Sequence, residues 1–128
     1  MELVKCTETY WEFVRTLRND KRVKDGFIKN TYISKEMQVK YMQDNSQYYY
    51  VAVENNIPCG YIGEIKGDIR VCTHPDFQGK GIGSFMIKEL TKIKPNIYAK
   101  VKINNISSIK AFEKAGYEKK YFILEPKN

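Results

Sequence analysis

Apolar residues recur along this chain with two different periods, and the switch between them marks its organisation. Leu3 to Cys6 reads as a short strand. From Thr9 the spacing is helical: Tyr10, Phe13, Val14 and Leu17 fall at i, i+3, i+4 and i+7, a stripe that faces a core. Thr9 and Glu12 have the Thr-x-x-Glu spacing of a capping box, which opens that helix. Lys21 to Thr31 is polar and irregular. Ser34 is a start signal for a second helix, with Glu36 in its first turn and Met37 and Tyr41 on one side.

The period changes at Gln47. The run YYYVAVENNIPCGYIGEIKGDIRVCT predicts three strands, Tyr48 to Glu54, Cys59 to Ile65 and Ile69 to Thr73, joined by turns at Asn55-Asn56 and Lys66-Gly67-Asp68. Short connections of this kind make an antiparallel meander. A glycine-rich segment follows. Then Ile82, Phe85, Met86, Leu90 and Ile93 repeat with helical period until Pro95 stops them. Asn96 to Ile103 predicts a strand with Ile97, Ala99, Val101 and Ile103 on one face. A last helix spans about Ser107 to Ala115, Gly116 sits where a left-handed cap belongs, and Tyr117 to Leu124 predicts a closing strand. The order of strands and helices is mixed rather than strictly alternating, the pattern of an α+β (mixed α/β) domain.

Composition narrows this picture. A chain of 128 residues is one domain, enough for a core of its own. No run of about 18 apolar residues occurs, and the first residues lack the basic, apolar, small-residue order of a secretory signal, so the expectation is a cytoplasmic protein without membrane contact. Cys6, Cys59 and Cys72 are odd in number and widely spaced, which suits reduced thiols, and a single histidine argues against a zinc site. The net charge of +7, from 22 basic and 15 acidic residues, points to an anionic ligand or a solvated basic surface. Nucleic acid is disfavoured, because no helix-turn-helix, zinc-finger or RNP-type pattern accompanies the charge.

The stretch HPDFQGKGIGSFMIKEL, His74 to Leu90, carries the chemistry. A Walker A loop needs Gly, four residues and Gly-Lys-Ser/Thr, and no such string exists. A Rossmann fingerprint fails because Ser84 stands at its third glycine and Lys100 where an acid is wanted. The remaining reading is a pyrophosphate site at a helix start. Such a start leaves about four N–H groups unpaired and carries about half a positive charge. Glycines let the backbone come close to phosphate oxygens.

Gln78-Gly79-Lys80-Gly81-Ile82-Gly83 resembles the Q/R-x-x-G-x-G/A signature of the GNAT superfamily of N-acetyltransferases. A second block, Asn105 to Tyr117, resembles that family's N-x-x-A/S-x-x-x-Y/F-x-x-x-G-F/Y segment. The resemblance implies a single domain over residues 1–128, with acceptor-side helices in 1–46 and the sheet and acyl-CoA site in 47–128. It further implies a mostly antiparallel twisted sheet of roughly six to seven strands, about four flanking helices and a V-shaped split between the fourth and fifth strands.

Acetyl-CoA is then the cosubstrate, with no metal. The implied contacts are Val71, Cys72 and Thr73 along the pantetheine arm, Gln78, Gly79, Lys80, Gly81, Ile82, Gly83 and Ser84 around the pyrophosphate, and Asn105, Ser108, Phe112 and Lys114 from the second block. An amine attacks the thioester directly, held beside it with a backbone N–H stabilising the oxyanion. The family's usual base, a Glu, is replaced by Arg70, which leaves Glu64 or Asp68 acting through water. Its usual acid, a Tyr, is replaced by Phe112, which leaves Tyr117 or Tyr98. Cys72 is set aside as a nucleophile because nothing nearby lowers its pKa.

The acceptor implied is a primary amine of a small molecule or peptide. Leu17 to Asp20 faintly resembles acetyltransferases of nucleotide-linked amino sugars, and Arg18 is a candidate partner for a substrate phosphate or carboxylate. Phe112 and Arg70 also admit a catalytically degenerate domain that binds acyl-CoA as a sensor or interaction module. The expected assembly is a monomer or homodimer.

Overall fold

The computed structural model describes residues 1–29 and 31–128. Four strands, β1 (Glu2–Lys5), β2 (Tyr49–Glu54), β3 (Ile57–Ile65) and β4 (Asp68–Thr73), form one antiparallel sheet in the order β1-β2-β3-β4. The two hairpin turns have the left-handed φ values that their sequences anticipate. Asn55 and Asn56 lie at 52° and 65°, and Lys66 and Gly67 at 52° and 88°, so each connection is a tight two-residue loop matched to the strand twist.

A bulge in β3 decides which side chains face which layer. Ala52 pairs with Gly60 but Val53 pairs with Pro58, so Cys59 is the extra residue. The bulge reverses the alternation, and Cys59 turns to one face while Tyr61, two residues on, turns to the other. Gly60 is forced by close approach: a β-carbon there would stand 2.7 Å from the Cys72 carbonyl oxygen.

One face of the sheet, carrying Tyr49, Val51, Val53, Tyr61 and Cys72, is covered by α1 (Trp11–Arg18) and α3 (Lys35–Asn45) through Val14, Leu17 and Met42. The other face, with Ala52, Ile62 and Ile69, is covered by α4 (Ile82–Ile93) and α5 (Ile106–Lys114) through Ile82, Met86, Ile87, Leu90 and Phe112. A short helix, α2 (Lys21–Lys24), follows α1 and is capped by Asp20, which accepts from the Arg22 N–H at 2.8 Å.

Several sequence expectations are corrected. Among the described residues the sheet has four strands, not six to seven, and there are five helical segments of α type. Asn96 to Ile103 touches the sheet at a single parallel bridge, Asp68 to Tyr98, so no fifth strand splits from β4. Ile97, Ala99 and Val101 still pack on the core, but Ile103 is 89 % exposed, and without a continuous partner the backbone stays extended rather than paired. Tyr117 to Leu124 forms no strand either, and Tyr121, Phe122, Ile123 and Leu124 face solvent. The Thr9 capping box does not form, because Glu8–Tyr10 is a 3-10 turn and Tyr10 becomes the cap position of α1. On α3 the buried residues are Gln38 and Met42, with Met37 and Tyr41 turned outward. The stretch 21–31 contains α2, and Asn30 lies outside the described residues. Among the described residues no helix is long and apolar enough to cross a membrane.

Candidate active site

The turn from β4 into α4 is built by its sequence to leave amides free. His74 accepts the Asp76 N–H on Nδ1 at 3.1 Å and so caps a 3-10 turn at Pro75–Phe77. Gly79 and Gly81 then take φ values of 80° and 78°, a left-handed conformation costly for any side chain. Gly81 is the cap position of α4, and no side chain caps that helix. Phe85 is the first residue bonded back, its N–H donating to the Gly81 carbonyl at 3.0 Å. The N–H groups of Ile82, Gly83 and Ser84 therefore stand open at the positive end of the helix dipole.

These amides face a cleft of about 860 Å³. It runs from the glycine turn along β4, between that strand and the 99–101 segment, to the end of α1. Val71, Cys72, Thr73, Gln78, Gly79, Gly81, Ile82, Gly83, Ser84, Asn105, Ser108, Phe112 and Lys114 all line it. The structure thus gathers thirteen of the fourteen expected acyl-CoA contacts around one space. Lys80 is the exception: it does not line the cleft, and its ammonium lies 5.5 Å from the centre of the Phe77 ring. Asn105 caps α5, accepting the Ser108 N–H at 3.3 Å, so its side chain is partly committed to the fold.

The candidates for proton transfer separate. Asp68 lines the cleft, with Arg70 at 3.6 Å and Lys100 at 4.0 Å. Glu64 does not line it. Its carboxylate accepts the Gly67 N–H at 2.9 Å and pairs with Lys94 at 3.2 Å, which assigns it to the β3-β4 turn. The Tyr117 hydroxyl also lies elsewhere, 2.7 Å from Thr91 Oγ1, with its ring against Phe112. Tyr98 is held by the main chain of Gly67 and Ile69. Phe112 is buried and brings no proton to the cleft. Burial pushes the Cys72 thiol up to about 12, which keeps it protonated and inert.

The cleft has walls that the sequence pattern did not reveal. Arg22, Phe27 and Lys29 line it from the segment after α1, and Lys110 from α5. Lys102 donates to the Asp25 carbonyl at 2.7 Å and Asn105 Nδ2 approaches the Gly26 carbonyl at 3.5 Å, tying this segment across the cleft. The basic residues among 21–29 were the available signal. Their long-range partners were not, because those bonds go to main-chain carbonyls that no side-chain pattern encodes.

A smaller cavity of about 210 Å³ adjoins the cleft on the α1-α3 face and shares Arg18, Tyr61 and Arg70 with it. Its outer wall includes Ile33, fixed by two bonds with Asn19: Asn19 Nδ2 donates to the Ile33 carbonyl at 2.8 Å, and the Ile33 N–H donates to Asn19 Oδ1 at 2.9 Å. Met37 and Tyr41, turned away from the core, line this cavity instead. Tyr41 and Tyr49 share a hydroxyl contact of 2.7 Å.

The model of the acetyltransferase (GNAT) domain matches residues 45–119, more than half of the chain and both motif blocks. The chain belongs to the GNAT acetyltransferase family. No curated protein sequence matches it. Among solved structures it is similar to spermidine N-acetyltransferase from Vibrio cholerae, solved with CoA and spermine, at 17 % identity and a TM-score of 0.81 over 98 % of this chain and 85 % of that one. It is also similar to a ribosomal-protein-alanine N-acetyltransferase from Brucella melitensis, at 18 % identity and a TM-score of 0.77 over 92 % and 85 %. An aminoglycoside acetyltransferase solved with coenzyme A and kanamycin aligns at 20 % identity and a TM-score of 0.71 over 92 % and 84 %. At such identities the likeness establishes the fold, mixed α+β with an antiparallel sheet and flanking helices. The acceptors of these three proteins differ, so they do not name one for this chain.

Proposed function

We propose that the protein transfers an acetyl group from acetyl-CoA directly to the primary amine of a small molecule or peptide. The observation that carries this reading is the uncapped start of α4: two left-handed glycines and three open amides face a long cleft beside Lys114. A pyrophosphate satisfies those amides, and the pantetheine arm follows Thr73, Cys72 and Val71 toward the end of α1. Main-chain groups of β4 on this free edge are available to bond the arm and to donate to the thioester oxygen as it becomes an oxyanion.

The attacking nitrogen forms the new bond to the acyl carbon, the C–S bond breaks, and CoA leaves as thiolate. The ammonium proton must leave before attack. Asp68 is the carboxylate that lines the cleft, and we assign it that proton through water. With Phe112 in place of a tyrosine, solvent protonates the thiolate.

Phe112, together with Glu64 and Tyr117 bound elsewhere, favours one alternative, a domain that holds acyl-CoA as a sensor without transfer. Incubation with acetyl-CoA and a broad amine panel, following free thiol, separates the two. Amine-dependent thiol release supports transfer, and tight CoA binding without release for any amine supports the sensor.

A further inference from the structure

We propose that the acceptor amine carries an anionic group, a carboxylate or a phosphate, which Arg18 and Arg70 bind where the small cavity meets the cleft. This rests on the reading of the larger cleft as the acyl-CoA site.

The small cavity holds about 210 Å³, below the roughly 300–1,000 Å³ that encloses a whole small molecule, so it takes one end of an acceptor whose amine lies in the cleft. Arg18 and Arg70 are the charged side chains that line it, and both also line the cleft. No acid lines it. The rest of its wall is tyrosine and apolar surface.

The two guanidiniums are not consumed by the fold. Arg18 lies over the Phe27 ring at 4.7 Å, and among the described residues no carboxylate forms an ion pair with it. It is close enough to Tyr61 to oppose the upward shift that burial imposes on that phenol. Arg70 pairs with Asp68 only at 3.6 Å, and Asp68 is shared with Lys100. The hydroxyls of Tyr49 and Tyr61 are buried and pushed upward by that burial, so they remain neutral and able to donate a proton in a hydrogen bond.

Charge decides what such a pocket accepts. A cationic tail entering it would lose water beside two fixed positive charges and find no carboxylate. An anion there gains charge-assisted bonds, with a planar fork available from either arginine. A glutamate at position 70 would instead add negative charge at the mouth of this cavity.

Matched probes test the proposal. β-Alanine and O-phosphoethanolamine supply the carboxylate and phosphate arms, β-alaninamide and ethanolamine are their uncharged counterparts, and 1,3-diaminopropane is the cationic one. Thiol release from acetyl-CoA gives kcat/KM for each, and calorimetry on the CoA-saturated protein gives binding independent of turnover. We expect at least one anionic probe to exceed its uncharged and cationic counterparts by roughly ten- to a hundred-fold, the size of one or two charge-assisted bonds. The arm that wins names the anion. In Arg18→Gln and Arg70→Gln that ratio falls toward one. Equal or greater use of the uncharged or cationic probes, or no preference in binding, overturns the proposal while leaving acetyl transfer intact. Failure of the protein to bind CoA at all is the separate result that would remove the acyl-CoA reading itself.

Discussion

The ammonium of Lys114 stands 3.7 Å from the point a β-carbon on Gly81 would occupy. Residues from the two motif blocks, on different helices, thus meet at the open amides of α4. Lys114 adds a mobile positive charge where the helix start supplies a fixed one. Lys114→Met is expected to weaken CoA binding about tenfold at low salt and to reduce its salt dependence, because an exposed charge pair is screened as ionic strength rises. Calorimetric titration at two salt concentrations checks both effects.

Two glycines on the same turn should respond in opposite ways to the same substitution. Gly81 has φ of 78°, so Gly81→Ala forces a side chain into the left-handed region at a cost of about 1–2 kcal/mol and disturbs the amide it presents. Gly83 lies inside α4, where a β-carbon would meet Ala111 Cβ and Thr73 Oγ1 at 3.5 Å, ordinary contacts. Gly83→Ala is expected to stabilise the fold by up to about 1 kcal/mol, since alanine is the better helix former, with CoA affinity kept within a few-fold. Thermal melts with and without CoA distinguish the two variants.

Buried thiols predict a loss of stability on the alkaline side. Burial raises Cys6 to about 11 and Cys72 to about 12, whereas both titrate near 8.5 in the unfolded chain. A raised folded value means that the unfolded state releases protons first, so the stabilisation is complete below about pH 8.5 and declines as pH rises toward 11. Tyr49 and Tyr61, also shifted upward by burial, add the same trend above about pH 10. The urea midpoint should stay level up to about pH 8.5 and then fall, and Cys72→Ala should flatten the first part of that fall. A thiol reagent at pH 8 should label the folded protein far more slowly than the denatured one.

How legible these features were depends on whether their signal was local. The meander from Tyr49 to Thr73 was readable because alternation and positive-φ turn residues are written within a few positions. The cleft at the start of α4 was readable because glycine spacing and helix start coincide, and of the residues expected around it only Lys80 does not line it, lying instead beside the Phe77 ring. The strands expected at Asn96 to Ile103 and Tyr117 to Leu124 were misjudged for one reason: apolar alternation shows that a segment is able to pair, not that a partner lies beside it. Ile103 and Leu124, 89 % and 91 % exposed, have the pattern without the neighbour. Arg18 and Arg70 are 52 positions apart, and their meeting at one cavity depends on the tertiary packing that sets the end of α1 near β4. Sequence spacing carries none of that.

Asp68 and Glu64 sit in different surroundings, and one pair of variants tests the proposed role of Asp68 as the base against a folding role for Glu64. Asp68 lines the cleft between Arg70 and Lys100, whereas Glu64 is nearly buried under the β3-β4 turn, holding Lys94 and the Gly67 N–H. Asp68→Asn keeps the shape but not the basicity, so kcat/KM for the amine should fall by about 10²-fold or more, with CoA affinity and melting temperature little changed. Glu64→Ala leaves the Gly67 N–H without its acceptor and Lys94 without its partner, which should cost about 1–3 kcal/mol of stability. Its kcat, measured well below the melting temperature, should stay within a few-fold of the parent. A drop in kcat for Glu64→Ala with none for Asp68→Asn would reverse the assignment and move the proton path to the far side of the β3-β4 turn.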